Sequence, residues 1–172
     1  TLNDIMKKFS IILFLILILA FGISWYTYPN FRSIQKELTE LFDTNTEGSD
    51  VNRDTYDDYV KLEAKNNMHF PLSKVKYAKL FSGILSVDKT LEESELKQVL
   101  TILNDTSSYR WGEIGTPVFN KHIVYYNKNH QVIGLTKFEE EIFQAYSTPY
   151  LGFMKWCRLK PEKVKIIKKI IY

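Results

Sequence analysis

Residues 9–28 read FSIILFLILILAFGISWYTY, twenty consecutive positions without a charged side chain. As a helix rising ~1.5 Å per residue, such a stretch covers ~30 Å, the thickness of a bilayer's hydrocarbon layer. Inside lipid every backbone amide must find its partner within the segment, so a helix is expected from Phe9 to Tyr28. Lys7 and Lys8 precede the run, which favours keeping that end in the cytoplasm. Trp25, Tyr26 and Tyr28 close it with amphipathic rings suited to a membrane interface. Arg32 and Lys36 follow and weaken the charge asymmetry. The expected topology is a cytoplasmic N-terminus (1–8), a transmembrane helix (9–28) and an extracytoplasmic remainder, in a single-pass protein of the cell envelope.

A cleaved signal peptide reads from the same residues. Met6-Lys7-Lys8 resembles its basic start, Ile11–Leu19 its apolar centre, and Ala20-Phe21-Gly22 the small residues before a cut at Ile23. The aromatic belt beyond Gly22 favours a retained anchor, because a cleaved peptide has no use for one. Cleavage would instead release a periplasmic or secreted product. Met6 also looks like a natural start of translation, with Thr1–Ile5 as an extension.

Past the apolar run, composition is that of a folded domain: 45% apolar, 25% charged and 15% aromatic side chains, enough to fill a core. A net charge of +3 is too mild to imply nucleic acid. A single cysteine, Cys157, excludes an intrachain disulfide, and three scattered histidines lack the spacing of a zinc site. The charge is polarised along the chain. Residues 32–60 carry three basic and eight acidic side chains, whereas 155–172 carry seven basic and one acidic.

Periodicity supplies the elements. Phe31, Ile34, Leu38, Leu41 and Phe42 form a helical stripe, with Pro29-Asn30 as its break and cap; an acidic stretch to Asp54 reads as a linker. Residues 29–54 are therefore taken as helix plus linker, and 55–172 as the α+β domain. Thr55–Asn67 fits helix or loop equally, and Ser73–Ser82 has no assignable period. Thr90-Leu91-Glu92-Glu93 reads as a capping box opening a helix whose stripe runs to Leu103. From Trp111 the period becomes two, in runs Val118-Phe119, His122–Tyr126, Val132–Phe138 and Ile142–Ser147. Asn127–His130 is a turn and Glu139-Glu140-Glu141 a solvated second reversal, so the strands form an antiparallel meander. Pro161 opens a last helix with Val164, Ile166, Ile167, Ile170 and Ile171 on one half and Lys165, Lys168 and Lys169 on the other. Its isoleucines predict docking on the core rather than on a membrane. The expected fold class is α+β: an N-terminal transmembrane (or signal) helix, then helices packed on a meander of three or four strands.

Chemistry-bearing patterns are sparse. Trp111-Gly112-Glu113-Ile114-Gly115-Thr116-Pro117 is the most distinctive stretch; its glycines permit close backbone approach, with Trp111, Glu113 and Thr116 as ligand or partner contacts. A bent strand entry explains it better, since no second acid or histidine stands at a telling spacing. Cys157 with His122 makes a weak nucleophile–base candidate, and Asn104-Asp105-Thr106 matches a glycosylation sequon. No catalytic set, metal site or cofactor is readable.

The sequence thus points to a membrane-anchored envelope protein acting as a binding or assembly module. Its expected partners are the bilayer, through Phe9–Tyr28, and another envelope protein, with no nucleic acid and the oligomeric state left open. The alternative is a secreted enzyme or enzyme inhibitor released near Gly22. A third reading is an accessory subunit whose span packs in a larger complex, although the span has no GxxxG.

Overall fold

The computed structural model describes residues 2–41, 54–65, 68–83, 88–111, 118–139, 144–149, 151–154 and 157–172. Helix α1 (Leu2–Thr27) contains the whole uncharged stretch except Tyr28. Its apolar side chains from Met6 to Ile23 are exposed, with a mean hydropathy of 2.3 over those positions. Pro29 ends the run, and Asn30 caps α2 (Phe31–Leu41), its Oδ1 accepting the Ser33 amide at 3.2 Å. Helix α3 (Tyr56–Lys65) settles the ambiguous stretch after the acidic residues, with Asp57 and Asp58 in its first turn and Lys65 in its last, as the helix dipole favours.

The centre of the domain is an antiparallel sheet of five strands in the order β2-β1-β4-β5-β6. Its strands are β1 (Tyr77–Phe81), β2 (Lys89–Thr90), β4 (Phe119–Tyr126), β5 (Val132–Glu139) and β6 (Ala145–Thr148). Strands β4, β5 and β6 are the expected meander. The expected count of three or four strands is exceeded because β1, in the unassigned stretch, pairs along its whole length with β4, Tyr77 opposite Tyr126 and Phe81 opposite His122. A second, two-stranded sheet joins β3 (Tyr109–Trp111) to β7 (Cys157–Leu159).

Both faces of the large sheet are covered. On one, Ala78, Leu80, Ile123, Tyr125 and Phe138 meet Val99, Ile102 and Leu103 of α4 (Glu93–Asn104) and Ile167, Ile170 and Ile171 of α5 (Pro161–Ile171). The last helix therefore docks on the core as its isoleucines predicted, leaving Lys165, Lys168 and Lys169 exposed, together with Ile166. On the other face, α2 lays Leu38 on Phe81, Val124 and Leu135, flanked by Phe31 and Ile34. Residues 31–41 are thus part of the folded unit. A bulge interrupts the β4–β5 register: Tyr126 pairs with Val132 and Tyr125 with Gly134, so Ile133 is the extra residue.

Two local expectations are corrected, at Thr90 and at Glu139. Thr90 is not the cap of α4. It belongs to β2, opposite Lys79, and the helix begins after Glu92, whose amide donates to Glu95 Oε2 at 3.0 Å. Glu139 is not a solvated tip residue; it is the buried last residue of β5, its amide donating to the Gln144 carbonyl at 3.0 Å. Glu140 and Glu141 lie outside the described residues. Asn104, the acceptor of the sequon, is committed elsewhere: its Nδ2 donates to the carbonyls of Phe70 (2.7 Å) and Leu100 (2.9 Å), and its Oδ1 accepts the Phe70 amide at 2.6 Å.

Candidate binding groove

An open groove of about 660 Å³ runs between α4 and the extended chain entering β1. Two elements build it. Helix α4 contributes two ridges at i, i+4 spacing: half-buried Leu96 and Leu100, and exposed Glu93, Lys97 and Thr101. The facing wall is Lys74-Val75-Lys76-Tyr77, whose period of two sets exposed lysines between half-buried Val75 and Tyr77. Buried Leu91, held by its amide's bond to the Ala78 carbonyl at 2.9 Å, lies in the floor. The fold places this groove because α4 turns its more apolar face (Val99, Ile102, Leu103) to the sheet and leaves Leu96 and Leu100 partly uncovered beside it.

The electrostatics of the groove are one-sided. Lys74, Lys76 and Lys97 set three cations against Glu93, and none of the three is ion-paired among the described residues. The other lysines nearby are neutralised: Lys79 pairs with Asp88, and Lys89 reaches Glu95 at 2.6 Å. That contact, with the Glu92 amide, holds the Glu95 carboxyl below the usual carboxylate range. Chemically the site offers apolar contact along its floor and cationic contact along its rim. It presents no nucleophile–base pair, and among the described residues no group of three His, Cys, Asp or Glu side chains is placed to hold a metal ion.

None of the groove residues was a candidate from sequence. The signal that marks them is the alternation Lys74-Val75-Lys76-Tyr77, readable as a groove wall only once β1 is known to pair with β4. Of the sequence candidates, Trp111 ends β3 opposite Cys157, half-buried, its ring edge-on to Tyr56 at 5.7 Å. Glu113 and Thr116 lie outside the described residues. Lys7 and Lys8 are exposed on α1, and the side chains of Trp25, Tyr26 and Cys157 are outside the described part. Tyr28 packs edge-on against Phe31 (5.3 Å) and Phe81 (6.3 Å), tying the end of the apolar helix to the domain.

His122 and Cys157 stand on different sheets. The imidazole is stacked flat on Phe31, centroids 3.8 Å apart, beneath α2. Burial, reinforced by the Lys137 charge, lowers its pKa to about 4, so it is neutral at pH 7. Lys137 lies under the same helix. Its Nζ donates to Gln35 Oε1 at 2.7 Å and sits 4.8 Å from the Phe119 and Tyr146 rings, and burial lowers its pKa as well. Both polar groups are consumed in seating α2 on the sheet.

Comparison with known protein families, with curated proteins and with solved structures finds no match.

Proposed function

We propose that this chain is a single-pass, membrane-anchored protein of the cell envelope whose outward-facing α+β domain binds another protein. The observation that carries the reading is the contrast between two parts of one chain. From Met6 to Ile23 every apolar side chain of α1 faces outward and joins neither core cluster, whereas the domain buries its own isoleucines and phenylalanines on both faces of its sheet. A helical stretch that is apolar all round and exposed over its described side chains needs lipid or another helix as its surroundings. Lys7 and Lys8 support a cytoplasmic N-terminus, and the open groove on α4 supports a binding role.

The test is location and sidedness. The protein should stay in the membrane pellet after carbonate extraction. Lys128→Cys, at the exposed β4–β5 turn and made in a Cys157→Ser background, should react with a membrane-impermeant maleimide added to intact cells. A soluble product beginning at Ile23 would replace the anchor by a cleaved signal. Labelling only after the membrane is opened would reverse the topology.

A further inference from the structure

We propose that the groove between α4 and the Lys74–Tyr77 segment docks a short acidic segment of the partner protein, with apolar side chains seated on Val75, Leu96 and Leu100. The inference deepens the binding-module reading and rests on it. Charge complementarity commits the occupant. Lys74, Lys76 and Lys97 surround an apolar floor and have no ion-pair partner among the described residues, whereas the neighbouring Lys79 and Lys89 each have one. A carboxylate-bearing segment supplies counter-charge to a rim whose three lysines face a single acid, Glu93, and covers half-buried leucines in the same step. A basic segment would meet three like charges, and an uncharged one would leave the rim unmatched. The exposed ridge Glu93, Lys97, Thr101 of α4 rises ~12 Å, long enough for two turns of a partner helix or a few residues of extended chain.

The experiment uses the full chain in nanodiscs of neutral phosphatidylcholine. Two fluorescein-labelled peptides serve as probes, both with leucine at every third and fourth position, one filled in with glutamate and the other with lysine. Fluorescence anisotropy should show binding of the Leu/Glu peptide and not of the Leu/Lys peptide. Lys74→Glu/Lys76→Glu/Lys97→Glu should weaken the first by at least about tenfold and create binding of the second. These lysines are exposed, so the variant keeps the fold; Lys165→Glu/Lys168→Glu/Lys169→Glu, reversing as many charges on α5, should leave both affinities unchanged. Rising salt should weaken the interaction. The proposal is overturned if neither peptide binds, if both bind alike, or if the α5 variant loses as much as the groove variant. It is equally overturned if the groove lysines capture phosphatidylglycerol vesicles in flotation while ignoring the Leu/Glu peptide, which would assign the groove to a lipid surface. Because the peptide assay does not depend on which side of a membrane the domain occupies, its failure and a failure of the topology test are separable.

Discussion

Replacing Asn104 tests how the domain's first loop is fastened to its helix. The amide of this one side chain takes both backbone groups of Phe70, 34 residues away, and also bonds the Leu100 carbonyl. Phe70 in turn lies edge-on to Tyr125 at 5.2 Å and is buried in the core, so the clamp fixes an aromatic against the sheet. Asn104→Ala removes these three bonds and leaves a partly buried N–H and C=O on Phe70 unpaired. At ~1 kcal/mol per net bond, with a further desolvation penalty, the expected loss is ~2–4 kcal/mol. Asn104→Asp is the sharper variant because it keeps the shape. Its carboxylate still accepts the Phe70 amide, but the other oxygen faces two carbonyls where Nδ2 had donated, and only the protonated acid restores a donor there. The folded-state pKa of the introduced carboxyl is therefore raised above its unfolded value of ~3.9. A raised pKa contributes stability that is present below the unfolded value and lost as pH rises through the folded one, so the deficit against wild type should grow from pH 4 to pH 7. Urea denaturation followed by tyrosine and tryptophan fluorescence, on the full chain in detergent, measures both variants. An Asn104→Ala change within ~0.5 kcal/mol of wild type, the range of an ordinary surface substitution, would refute the clamp. So would an Asn104→Asp deficit that shrinks as pH rises.

Three further outcomes follow from the packing. His122 is held neutral by burial, its pKa lowered to about 4, so its contribution is present above the unfolded value of ~6.5 and lost as pH falls towards 4; wild type should lose up to ~3 kcal/mol over that window relative to His122→Phe, and parallel pH profiles would contradict it. Ile167→Ala, at a fully buried position of α5, should cost ~2–5 kcal/mol, whereas Lys165→Gln/Lys168→Gln/Lys169→Gln should change stability by under ~0.5 kcal/mol; unchanged denaturation midpoints for both would place the helix on the wrong surface. Gly134→Ala would set a Cβ 3.0 Å from Pro71 Cγ and 3.2 Å from Phe70 Cζ, so a loss of ~1–3 kcal/mol is expected by thermal unfolding, and a stabilised variant would show that the loop yields freely.

What the sequence determined by itself was carried by a local period or by a local cap that no distant strand claims. The uncharged run became α1, Asn30 capped α2, Pro161 opened α5, and the alternations of His122–Tyr126 and Val132–Phe138 became the central hairpin. These signals survive because burial on one face of a helix or strand repeats every 3.6 or 2 residues, whatever the rest of the chain does. The turn between those strands was equally local, with Asn127 Oδ1 accepting the amides of Asn129 and Gln131.

Tertiary structure decided the rest, because the deciding partners are far apart in the chain. Strand β1 carries only five residues, with Lys79 among them, and is a strand because β4, some forty residues on, pairs with all of it. Thr90 has the chemistry of a helix cap, yet its pairing with Lys79 takes it into β2 and moves the helix start past Glu92. Asn104 has the context of a sequon, yet its amide is spent on Phe70. The groove follows the same rule. Lys74, Lys76 and Lys97 are ordinary lysines along the chain, and they converge on one apolar floor only because β1 brings the first two alongside α4. Whether a lysine has a counter-charge is a relation between distant segments, and no window along the chain contains it.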